Sequence, residues 1–114
     1  MIAHAVLSFL GCTEQQLIDY LDRCDEVFNL PNGYAVRKAD VMHMIAPQKA
    51  LSGRKLIRSC QTVLSKVHEK FPVIYAPVKK IDMKSQLFVK KLGFQESKAD
   101  DTHIWFSHRS LQCD

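Results

Sequence analysis

The sequence predicts a mixed α/β domain in which one parallel strand–helix–strand crossover is flanked by antiparallel strands. Three observations carry this. The run 41–46 (Val-Met-His-Met-Ile-Ala) is apolar, short and stopped by Pro47, as a buried strand is. Downstream, Leu56, Ile57, Cys60, Val63, Leu64, Val67 and Phe71 recur at three- and four-residue steps, the helical period. After Pro72 the run Val73-Ile74-Tyr75-Ala76 reads as a second buried strand bounded by Pro77. A crossover of that length joins parallel neighbours.

The remaining elements follow from local signals. Residues 2–10 are rich in aliphatics and predict an opening strand that Gly11 stops; they lack the basic leader of a signal peptide. Thr13 with Gln16 forms a capping box. Leu17, Leu21, Cys24 and Phe28 predict a helix that continues to Asn29–Pro31, its outer face carrying Asp19, Asp22, Asp25 and Glu26 into solvent. Pro31-Asn32-Gly33 is a turn, Gly33 to Lys38 a strand, and Lys38-Ala39-Asp40 returns the chain into residues 41–46. A further helix starts at Asp82 as N-cap, presents Leu87, Phe88 and Leu92 as one apolar side, and stops at Gly93. Phe94 to Glu96 begins a strand, Ser97 to Asp101 is a polar loop, and His103 to His108 supplies the last strand.

The 114 residues suit a single domain. No apolar run approaches the roughly 20 residues of a membrane span. Four cysteines (Cys12, Cys24, Cys60, Cys113) form neither a C-x-x-C pair nor a zinc spacing, which predicts a reduced, cytoplasmic chain; Cys24 and Cys60 are expected on apolar helix faces. Charge is uneven. Residues 1–36 hold one basic residue against five acids, whereas residues 37–91 hold thirteen Lys and Arg against three acids. The second segment is either a solvated surface or a face for an anionic partner. Nucleic acid ranks last among such partners, because few exposed aromatics are interleaved with the lysines.

The string from Lys84 to Phe94, ending Leu92-Gly93-Phe94, resembles the last helix of the GNAT superfamily of N-acetyltransferases. The resemblance covers about residues 46–94. It implies a centrally split sheet, trimmed in its N-terminal part, and acetyl-CoA bound where the long helix begins. Free N–H groups and the helix dipole would receive the pyrophosphate there. On that resemblance Gln48, Lys49, Ser52, Gly53, Arg54 and Lys55 form the cofactor turn, and Asp82 holds the position of a family asparagine. The family's glycine pattern is met at Gly53 only. Val89 stands where the family commonly places its tyrosine acid, so acid catalysis of the family type lacks its residue. On the resemblance Tyr75 is expected as a substitute acid or a core tyrosine. His43 or Asp40, on or before the strand preceding the turn, is expected as the general base, a packed strand histidine being the other reading of His43. Trp105, His103 and His108 are expected to line a substrate pocket or the core rim.

Leu51-Ser52-Gly53-Arg54 is also similar to a turn in the acetyltransferase-like internal virion proteins of short-tailed phages. That likeness implies a fold kept for assembly, in a phage virion, with a protein partner or a second copy in place of chemistry.

Overall fold

The computed structural model describes residues 13–31, 33–45 and 53–110. Within them lie three helices and six strands. In chain order these are α1 (Glu14–Asp22), β1 (Glu26–Leu30), β2 (Gly33–Lys38), β3 (Val41–Ile45), α2 (Arg54–His68), β4 (Val73–Lys79), α3 (Met83–Lys91), β5 (Gln95–Ala99) and β6 (His103–Arg109). The strands form one sheet in the order β1-β2-β3-β4-β6-β5. Only β3 and β4 run parallel; every other pair is antiparallel. The predicted opening strand at residues 2–10 lies outside the described residues.

Side-chain alternation divides the sheet into two faces. Met42, Ile74, Ala76, Val78 and Phe106 point to one face and pack with Leu56, Cys60, Val63, Leu64 and Val67 of α2 and Phe88 of α3. Val36 and Ile45 point to the other, where Leu17 of α1 meets them. The helices wall the larger core. Phe106 and Ile74 are fully enclosed in it.

The early chain departs from the expected long helix. α1 ends at Asp22, and Glu26–Leu30 pairs antiparallel with β2 from Glu26↔Arg37 to Leu30↔Gly33. Phe28 therefore packs from a strand, and Cys24 lies past the helix, its thiol donating to the Tyr20 carbonyl. The cause is a long-range contact. Arg37 is buried, and its guanidinium donates to Glu26 Oε1 at 2.6 Å and to the Ala39 carbonyl at 2.7 Å, with Asp25 at 3.8 Å. Asp25 and Glu26 are thus partners of a buried cation, not the solvated outer side of a helix. A paired buried charge outweighs one more helical turn.

Other ends are local. The Thr13 capping box forms, with Gln16 N–H donating to Thr13 Oγ1 and Thr13 N–H to Gln16 Oε1. Asp82 caps α3 by accepting from the Ser85 N–H and hydroxyl. Gly93 ends α3 in the left-handed region at φ 101°, and the Phe94 N–H returns to the Val89 carbonyl while its ring is buried. Leu87, expected on the apolar side, is instead 56% exposed. The predicted polar loop at Ser97 to Asp101 is largely strand, since β5 runs to Ala99 across a bulge between Glu96 and Lys98.

β4 also runs past its predicted stop, through Pro77 to Lys79. On the β6 side the backbone of Pro72 and Lys80 is bonded, while Tyr75 N–H turns to β3 and donates to the Asp40 carbonyl. By alternation Pro77 nitrogen also faces β3. Having no N–H, it breaks nothing with β6 and cannot extend the β3 ladder. The recorded β3–β4 register is a single pair, Val41↔Tyr75. No further β3–β4 pair forms among the described residues.

Candidate functional site

On the face that α2 and α3 cover, beside β3 and β4, lies a slot, an apolar cavity of about 70 Å³. Met42, His43 and Met44 line it from β3 and Ala76 from β4. Cys60, Val63 and Leu64 of α2 close one wall, and Phe88, Val89 and Leu92 of α3 another. The slot is narrow and lined by methyl groups, rings and sulfurs, which suits a thin flexible chain. Cys60 Sγ lies 3.9 Å from Met44 Sδ, and burial pushes its thiol up to about 11, so it packs as a hydrophobe.

Two helix N-termini stand at the carboxyl end of this parallel pair, because α2 follows β3 and α3 follows β4. Ligands of open α/β sheets gather at that edge. Gly53 is the N-cap of α2, extended at φ −77° and ψ 135°, with no side chain to cap the helix and no acid in the first turn. Arg54 and Lys55 open the helix and are exposed. The first turn therefore presents N–H groups and positive charge, an arrangement fit for an anion. Gln48, Lys49 and Ser52 lie outside the described residues. At α3 the corresponding end is occupied by Asp82 itself, whose carboxylate serves Ser85.

Of the proposed proton-transfer residues only His43 borders the slot. By register His43 and Tyr75 point to the same sheet face, since Val41, two residues before His43, pairs in parallel with Tyr75; Tyr75 does not line the slot. Asp40 is half-buried in the turn before β3, its carbonyl committed to Tyr75 N–H. Burial, then the charge of His103, lowers the pKa of His43, leaving it a neutral base near neutral pH. His103 and Trp105 share a face by alternation along β6, and His108 lies on the other. Trp105 Nε1 donates to Asp100 at 3.1 Å, and Lys98 Nζ sits 5.4 Å from its ring. Backbone N–H groups of His103 and Thr102, with Trp105, hold the Asp100 carboxyl well below the usual range.

Two features carried no sequence signal strong enough to single them out. Gln86 is buried, its amide donating to the Lys79 carbonyl at 3.1 Å and the Lys80 carbonyl at 2.8 Å, which fixes the turn into α3. His68 meets His108 across 40 residues, at the floor of an open groove of about 700 Å³ lined also by Gln61, Ser65, Glu69 and Ser110. Among the described residues no group of three or more His, Cys, Asp or Glu is placed to hold a metal ion, and no helix is long and apolar enough to cross a membrane. No family model matches the chain, and no curated protein matches it at a significant level.

Proposed function

We propose that the chain is a GNAT-type protein that binds acetyl-CoA or CoA, with the thioester-bearing arm in the slot beside β3 and β4 and the phosphates at the start of α2. The observation that carries the reading is the slot itself, beside the strand pair whose parallel register is limited to Val41↔Tyr75, on the same α2 helix that begins at the uncapped Gly53. In this reading Met42, Val63, Phe88 and Val89 grip the arm. His43 is the neutral base that takes the proton of an attacking amine, since it borders the slot and its pKa is lowered. No tyrosine reaches the slot, so departure of the thiolate relies on solvent or on the N–H groups of the turn. Isothermal calorimetry with acetyl-CoA and CoA tests this. Binding at micromolar or tighter affinity is expected, and no heat at high protein concentration rejects it.

A second reading is a non-enzymatic module of the same fold, of the phage structural or host-interaction kind. It is favoured by a different surface. Ile81, Met83 and Leu87 are 90%, 61% and 56% exposed around the start of α3, with Lys79, Lys80, Lys84 and Lys91 on the same segment. Apolar side chains rimmed by lysines fit an acidic amphipathic segment of a protein partner. A soluble monomer with measurable acetyl transfer, seen by light scattering and a thiol-release assay, rejects it.

A further inference from the structure

His68 ends α2 and His108 sits in β6, and their rings meet edge to edge with Nε2 of His68 2.8 Å from Nδ1 of His108. Each outer nitrogen faces a backbone carbonyl. His68 Nδ1 lies 2.8 Å from the Phe71 oxygen, and His108 Nε2 lies 3.2 Å from the oxygen of Leu92, the C-cap of α3. Carbonyls only accept, so both outer nitrogens must carry hydrogen. Two neutral rings then have no hydrogen left, and their inner nitrogens would oppose lone pair to lone pair. A 2.8 Å contact needs one more.

We propose that His68 and His108 are a shared-proton pair, with three N–H hydrogens on four ring nitrogens and one net positive charge, that ties the C-terminal ends of α2 and α3 to β6. The helix ends favour that charge, while burial and the nearby lysines and arginine oppose it. Two helices end at the pair, and their free carbonyls and dipoles put partial negative charge there. The ionisable groups around it are few. Glu69 lines the groove from α2, Lys66 lies in the last turn of that helix, Lys90 and Lys91 in the last turn of α3, and Arg109 follows on β6. From β4 the register neighbour is apolar Ile74, and from the start of β5 the buried ring of Phe94 lies against His108 at 5.0 Å.

The pair is broken from both sides of its titration. Loss of the shared proton sets the two lone pairs against each other. A fourth hydrogen sets N–H against N–H and must part the rings. Burial first, and then the charge of His68, lowers the pKa of His108, against the raising effect of the Leu92 carbonyl. Because α2 and α3 also wall the slot through Leu64, Val89 and Leu92, parting the rings frees the α3 end and widens it. That slot regulation rests on the cofactor reading, whereas the pair itself does not.

The test is a ring-nitrogen NMR titration of the ligand-free protein, with methyl shifts of Leu64, Val89 and Leu92 followed in the same samples. Near neutral pH three of the four ring nitrogens of His68 and His108 should have protonated-type shifts, and both rings should move together in two separated steps. In His68→Gln the steps should collapse to one. Two protonated nitrogens at neutral pH, or independent single steps in the wild type, overturn the pair without any variant. Methyl shifts that track both steps support coupling to the slot, and methyls that stay fixed while the rings titrate overturn that coupling. Neither readout uses CoA, so failure of cofactor binding leaves the result intact.

Discussion

Arg37 Nε lies 2.6 Å from Glu26 Oε1, and the same guanidinium is centred 4.9 Å from the ring centroid of Phe71. This pair turns residues 26–30 into a strand and fastens the β1 edge to the chain just past α2. Removing one partner of a buried pair strands the other. Glu26→Ala should therefore cost about 3 kcal/mol in urea unfolding. Lys70→Ala, whose ammonium is 64% exposed and 4.0 Å from the same carboxylate, should cost less than about 0.5 kcal/mol.

The Pro77 nitrogen, which has no hydrogen, is placed to limit the β3–β4 ladder. In Pro77→Ala the restored N–H faces β3 and can extend the ladder past Val41↔Tyr75. Hydrogen exchange at residue 77 should be protected in the variant, and affinity for CoA should fall at least tenfold, about 1.4 kcal/mol. A freely exchanging amide with unchanged affinity would show that the slot has another cause.

His43 gives the pH dependence. Its folded pKa lies below the ordinary 6.5, so its contribution to stability is complete above that value and is lost as pH falls through the lowered one. Acetyl transfer should show an acid limb below 6.5, and His43→Gln should cut kcat by about a hundredfold or more. Replacing His103 with Gln removes a charge that opposes protonation, and the NMR-measured pKa of His43 should rise.

Gly53 is tested by adding a side chain at the N-cap. Its φ of −77° suits any residue, so Gly53→Val should alter stability by under about 1 kcal/mol. A β-branched side chain beside the turn blocks close approach of a phosphate, and CoA affinity should drop more than tenfold, about 1.4 kcal/mol. Thermal melts with and without CoA distinguish the two effects, and equal ligand-induced shifts in both proteins reject the phosphate turn.

Gly93 couples α3 to the histidine pair. At φ 101° an L side chain is strained, and a Cβ there would lie 3.2 Å from His108 Nε2. Gly93→Ala should destabilise by about 1–2 kcal/mol and weaken the hydrogen bond from His108 to Leu92. The proton steps of the histidine pair should shift with it, as read from ring-nitrogen spectra.

Much of the scaffold was legible because its signals are local. The period from Leu56 to Val67, the Thr13 and Asp82 caps and the Gly93 stop each depend on neighbours within a few residues, and each is where the sequence places it. Phe28 was misplaced because its spacing from Cys24 is helical, while the deciding force, Arg37 on Glu26, spans eleven residues. Pro77 reads as a stop in any sequence. Only the register with β6 tells which edge its missing donor faces. The place of His43 on the strand before the turn was readable from the sequence, and β3 holds it there. The distance from Tyr75 to the slot, and the meeting of His68 with His108, depend on strand parity and chain crossing that spacing does not encode.

β5 is the last strand in the sheet order, and all five of its residues are exposed. Its outer edge would accept another strand readily were it flat and apolar. Gln95, Glu96, Ser97 and Lys98 make it polar and charged, and the bulge between Glu96 and Lys98 interrupts its register. An incoming strand would have to desolvate these groups and match an irregular ladder. Concentrated solutions should resist fibril growth from this edge, and the sequence most open to converting the protein into an aggregate-former is one in which Glu96 and Lys98 are replaced by β-branched apolar residues.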